Sequence, residues 1–154
     1  MKRTIVFTLA IASLTSAAHA QQRSESDGVM APINRLFEGM RSGDSAMVRS
    51  AFAANARLMR AGPNGLGETP IDRFVIAVGT PHDSTWSEPI WDTQIQIDGH
   101  LASVWTKYAF FLGARLNHCG IDAFQLYRTS EGWKIFQLTD TQHNEGCEMP
   151  PPDR

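Results

Sequence analysis

Two hydrophobic periods divide this chain. Between Val29 and Met40 the apolar residues Val29, Met30, Ile33, Leu36, Phe37 and Met40 recur at helical spacing, which predicts an amphipathic helix with one buried stripe. Gly43 ends it, and Asp44 is placed to cap a second, short helix that turns Met47, Val48, Ala51 and Phe52 inward. "ARLMR", Ala56 to Arg60, reads as a short strand, and "AGPNGLGE", Ala61 to Glu68, as a loop. Thr69-Pro70-Ile71-Asp72 reads as the start of a third helix, with Thr69 as its cap and Ile71, Phe74, Val75 and Val78 on its buried face. Gly79 to Pro89 is a second loop, which holds Trp86. From Ile90 the period changes to strict alternation. Strands are predicted over residues 90–97, 101–112, 118–128 and 133–141, divided by turns. Helices first and an antiparallel meander after them make an α+β domain, with the helices packed on one sheet face.

The first twenty residues fall outside this pattern. Lys2 and Arg3 precede a short apolar run from Thr4 to Leu14, and Ala18-His19-Ala20 is an A-x-A cleavage pattern. This is the form of a cleavable signal peptide, too short to span a bilayer. The expected division is therefore a signal peptide at 1–20, a flexible polar start at 21–28, one domain at 29–147 and a disordered tail at 148–154. The expected compartment is periplasmic or secreted. No other segment is long and apolar enough to cross a membrane.

Charge and cysteine content narrow the classes. Of 14 basic side chains the leader takes Lys2 and Arg3, leaving 12 against 16 acidic ones. An acidic balance with no basic stripe argues against a nucleic-acid partner. Cys119 and Cys147 form an even pair in an oxidising compartment, where a disulfide is the default state. Two separate buried thiols are the plainer alternative.

The helix "INRLFEGMRSGD", the following "DSAMVRSAF", the strand "VWTKYAFFL" and the run "HCGIDAFQLYRTSEGWKIFQLTDT" with "EGC" carry a resemblance. Over most of residues 29–147 the chain resembles the nuclear transport factor 2-like superfamily, in particular its putative lumazine-binding and polyketide-cyclase-like branches. The resemblance implies a cone-shaped, cystatin-like roll. In it a strongly curved antiparallel sheet wraps the N-terminal helices and leaves a pocket at the wide end. It also implies a homodimer through the sheet. It implies no reaction, because the same cone holds isomerases, dehydratases, cyclases and plain binding proteins.

Candidate chemistry centres on Asp122. His118 lies four residues before it, on the same strand face but about 13 Å away along a regular strand. A direct His–Asp dyad would need a bulge, for which Gly120 is a candidate. The register of the neighbouring strand decides what faces Asp122. If Tyr108 lies opposite, a desolvated carboxyl sits beside a phenol and can act as general acid or base. If Lys107 lies opposite, the result is an exposed ion pair of little consequence. Trp105, Tyr108, His118 and Asp122 are the expected pocket-lining residues, with Trp86 at the rim. Asp140, near the end of the last strand, either lines the mouth of the cone or frays into solvent, and solvent is the favoured reading. No histidine pair or C-x-x-C spacing supports a metal site, no motif calls for a cofactor, and no nucleophile elbow or phosphate loop is present. The first functional reading is an exported binding protein for a small, apolar or aromatic ligand. The second is an isomerase, cyclase or dehydratase on the same cone, with Asp122 moving a proton and Tyr108 or His118 holding an oxyanion. A third is an interaction module that works through its sheet face.

Overall fold

The computed structural model describes residues 11–151. The front half of the expected leader, 1–10, and the end of the tail, 152–154, lie outside the described residues. Helix α1 (Ile11–Ser42) carries the predicted stripe, and Val29, Ile33, Leu36 and Met40 are all buried. It already includes residues 21–28, where a flexible start is expected. Two contacts hold this polar stretch: Glu25 pairs with Arg128, and Gly28 rests against the Trp133 ring. Helix α2 (Ser45–Ala51) is capped as its sequence predicts, with Asp44 accepting from the Met47 N–H at 2.8 Å. The two helices meet tightly at Gly39, where a Cβ would lie 2.7 Å from Val48 Cγ2.

The expected loop 61–68 is mostly strand. Strands β1 (Phe52–Gly62) and β2 (Gly65–Thr69) form an antiparallel hairpin around Pro63 and Asn64. The glycines that suggested a loop make the turn itself, Gly65 taking a φ of 110° that other residues rarely adopt. Helix α3 (Ile71–Gly79) is preceded by Pro70 and lacks a side-chain cap. Thr69 is held in β2, and Asp72 pairs with Arg49 of α2 instead of completing a capping box. Strand β3 (Trp86–Ser87) takes Trp86 out of its expected loop and pairs it with Leu112. The meander follows as β4 (Ile90–Asp98), β5 (Leu101–Leu112), β6 (Arg115–Thr129) and β7 (Gly132–Asp140).

The seven strands make one curved sheet in the order β2-β1-β7-β6-β5-β3, with β4 pairing β5 beside β3. Its ladders are antiparallel except for β1 against β7, which run parallel. Register shifts interrupt four ladders, and such irregularities bend and twist a sheet. The shift between β5 and β6 falls at Asn117 and not at Gly120. The inner face of the sheet closes on α1, burying Ala102, Val104, Phe124, Leu126, Ile135 and Leu138. Disulfide Cys119–Cys147, with Cα atoms 5.7 Å apart, fastens the segment after β7 to β6.

Candidate functional site

One register row builds the polar part of the pocket. Arg60 of β1 lies opposite Asp140 of β7, Asp140 opposite Asp122 of β6, and Asp122 opposite Thr106 of β5. Directly paired residues share a face with Cβ atoms about 5 Å apart, so four strands bring one cation, two acids and a hydroxyl side by side. Neither sequence-level register is realised, because Asp122 faces Thr106. Tyr108 sits two residues further on, opposite Gly120, and keeps the inward parity of Val104 and Thr106. Lys107 points outward, to Asp92 and Glu148.

This row opens into a cavity of about 320 Å³. Leu36, Phe37, Met40, Leu58, Phe74 and Leu138 form its apolar walls, and Arg60, Glu88, Tyr108, His118, Asp122 and Asp140 its polar end. Glu88 is delivered by the short link between β3 and β4. Its residue keeps some exposed surface, but its carboxyl is drawn inside, into hydrogen-bonding contact with Asp122. Two carboxyl groups can make that contact only if one carries a proton.

The electrostatics agree with a shared proton. Burial pushes Glu88 up to about 8. The hydrogen bond to Asp122 opposes that shift, the Asp140 charge adds to it, and Arg60 opposes it again. Asp122 is raised well above the ordinary carboxylate range, first by burial, then by the Glu88 and Asp140 charges. Taken as a bare carboxylate, Asp122 is 2% exposed and leaves its Oδ2 without a partner. A proton on the pair removes that cost. Asp140 is different, because Arg60 grips both its oxygens, with Nε at 3.1 and 2.9 Å and Nη2 at 2.7 Å. Asp140 is therefore a buried, paired wall residue and does not fray into solvent.

Tyr108 is 2% exposed and donates its hydroxyl to the Thr141 carbonyl at 2.8 Å, so that proton is already committed. Burial and the nearby acids raise its pKa. His118 packs edge-on to Tyr108 and tilted on Phe110. Burial and the Arg60 charge lower its pKa, which favours the neutral ring. Asn117 Oδ1 lies 2.7 Å from its Nδ1. An amide oxygen can only accept, so Nδ1 bears the hydrogen and Nε2 is left with its lone pair.

Three expected lining residues thus reach the pocket: Tyr108, His118 and Asp122. Trp105 does not. It alternates with buried Val104 and Thr106, and strand parity turns it to the outer face, where it is 53% exposed. Nor does Trp86 line this cavity. It stacks on His82 and meets Phe110 edge-on, at a separate cleft beside α3. Glu88 and Arg60 escaped the sequence reading as site residues, and Asp140 was weighed but assigned to solvent. The only local signal for Glu88 is an acid set between Trp86-Ser87 and Pro89-Ile90, immediately before a strand.

The sequence model of the family described as "Putative lumazine-binding" matches residues 24–139. The chain belongs to this family. Its residues 24–139 run from α1 to the last residue but one of β7, so the match includes every polar lining residue except the last, Asp140. No curated protein matches the chain. Among solved structures, an NTF2-like protein with a cystatin-like fold from Novosphingobium aromaticivorans is similar over 90% of this chain and 94% of that one, with TM-score 0.70 and 11% identity. An NTF2-like putative dehydratase from Streptomyces avermitilis is similar over 79% and 97%, with TM-score 0.61 and 14% identity. A putative ketosteroid isomerase from Shewanella frigidimarina is similar over 73% and 94%, with TM-score 0.57 and 15% identity. These likenesses place the family member within the NTF2-like, cystatin-like fold.

Proposed function

We propose that the protein binds a small, neutral, largely apolar or aromatic molecule whose oxygen docks on the Glu88–Asp122 pair. The carrying observation is the buried Asp122 carboxyl, its Oδ2 without a partner, beside Glu88 at the polar end of an otherwise apolar cavity. Apolar walls with a few convergent polar groups are the usual build of a small-molecule site. Where both carboxyls are protonated, one proton bridges the pair and the other is a donor for a carbonyl oxygen. Arg60 is the one cation among the described residues that line the cavity, and Asp140 and Gln142 occupy its fork. A carboxylate ligand would therefore meet acids and no available cation, which costs desolvation without compensation.

A matched pair of probes tests this reading by isothermal titration calorimetry near pH 6.5. 2-Acetylnaphthalene, a neutral aromatic ketone, should bind at least about tenfold more tightly than 2-naphthoate, the carboxylate on the same rings. Equal or tighter binding of the naphthoate would overturn the proposal.

One observation favours a second reading, an isomerase or dehydratase type of enzyme. The pocket holds two acids side by side, Glu88 and Asp122, both raised above the ordinary carboxylate range by burial. An acid raised toward neutrality can protonate a substrate oxygen, and the other carboxyl of the pair, once ionised, can take a proton from the adjacent carbon. The similar putative dehydratase and putative ketosteroid isomerase lend support of the same kind. With 2-acetylnaphthalene in D2O, NMR should then show methyl deuteration above the buffer rate, lost in Asp122→Asn. Exchange no faster than buffer removes the enzyme reading and leaves the binding one standing.

A further inference from the structure

We propose that residues 141–147 are the positioning element of the pocket's polar end, and that the Cys119–Cys147 disulfide is the latch that keeps them in place. This rests on the reading of the cavity as a ligand site.

The segment leaves β7 directly after Asp140 and crosses β6. Thr141 makes three contacts there. Its carbonyl accepts the Tyr108 hydroxyl at 2.8 Å, its Oγ1 accepts the Ile121 N–H at 3.1 Å, and its own N–H donates to Ile121 O at 3.0 Å. Gln142 accepts from Arg60 Nη1. His143 and Cys119 exchange two backbone hydrogen bonds, at 3.0 and 2.8 Å. The strap thus holds Tyr108 and Arg60, two groups from different strands that flank the acid pair. The ionisable groups around that pair are Arg60 from β1, Tyr108 from β5, His118 from β6 and Asp140 from β7. Two of these four are oriented by the strap.

Gly120 makes the approach possible. A Cβ at this position would lie 2.0 Å from Thr141 O and 3.0 Å from Tyr108 Cε1. Only a residue without a side chain leaves room for the strap and the tyrosine ring together. Little else secures the strap. Gln142 to Gly146 are exposed and bury nothing in the core. Segments held by solvent-exposed hydrogen bonds open locally at small cost, and the covalent link to Cys119 removes that freedom. A dithiol supplies two electrons and two protons, leaves as its own disulfide, and turns the bridge into two thiols. The strap then depends on its hydrogen bonds alone.

The test uses the full folded protein in four forms: oxidised, reduced with dithiothreitol, Cys147→Ser and Gly120→Ala. Carbon-13 NMR titration of the Glu88 and Asp122 carboxyls is one readout, and calorimetric affinity for 2-acetylnaphthalene the other. Opening the latch should weaken the ketone about tenfold and lower the Asp122 titration midpoint, because water reaches a carboxyl whose neighbours are released. Gly120→Ala should do the same with the disulfide intact. Affinity within about twofold of the oxidised protein, with an unmoved midpoint, overturns the proposal. Should the cysteine variant unfold, exposed Gln142→Ala decides by the same two readouts. If 2-acetylnaphthalene fails to bind even the oxidised protein, the ligand reading falls, and the carboxyl titrations alone still decide the role of the strap.

Discussion

Glu88 and Asp122 show how one buried proton reaches beyond its own site. Both carboxyls titrate higher in the folded chain than the ordinary value, 4.5 for Glu88. The folded state therefore holds more protons than the unfolded one, and stability falls as pH rises from about 4.5 toward 8. Glu88→Gln removes one of the two titrations and should flatten that fall. At pH 9 the variant should be more stable than the parent by on the order of 2 kcal/mol, a discounted share of the full shift because Asp122 remains. At pH 5 the two should nearly coincide. Urea denaturation at both pH values checks this, and parallel pH profiles would refute it. Asp122 itself was legible in the sequence, as an acid among apolar strand residues. Its partner was not, because Glu88 is 34 residues away in a segment with no periodicity of its own. Trp105 erred in the opposite direction. Aromatic character made it a lining candidate, but strand parity, a two-residue period, put it outside.

At the scale of elements, local chemistry was a good guide wherever one element satisfies its own needs. β5 has its predicted bounds, Leu101–Leu112, because positive-φ glycines, Gly99 and Gly113, make the turns that close it at both ends. α2 has its predicted Asp44 cap, since capping is settled within a single turn. The expectations that failed depended on partners. The stretch 61–68 looked like a loop by composition, but β1 offers it a free edge and it pairs there. Close approach between helices is also a partner effect. Gly39→Ala would force a Cβ against Val48 Cγ2 and Val48 N, the latter 2.9 Å away. Separating α1 from α2 should cost about 2 kcal/mol of stability. A Tm within a degree or so of the parent would mean that the helices shift freely.

For the whole molecule, the long α1 and the outer sheet face bear on processing and assembly. The expected cleavage pattern at Ala18-His19-Ala20 falls within α1, and the outer face exposes Leu101, Trp105 and Tyr127. Native mass spectrometry of protein from its own host should show a chain beginning at Gln21, two protons lighter than the dithiol form and paired as a dimer. A monomer with an intact N-terminus would remove both the export and the assembly expectations. The sequence by itself determined α2 with its cap, the buried stripe of α1, the four long strands of the meander and the α+β class, because each follows from local periodicity, and it left the pairing of the two cysteines as a default expectation. The tertiary structure decided the site. Arg60, Asp140, Asp122 and Thr106 belong to four strands, and only the ladder registers align them. A register is set by bulges and by packing across the sheet, energies that no single strand contains.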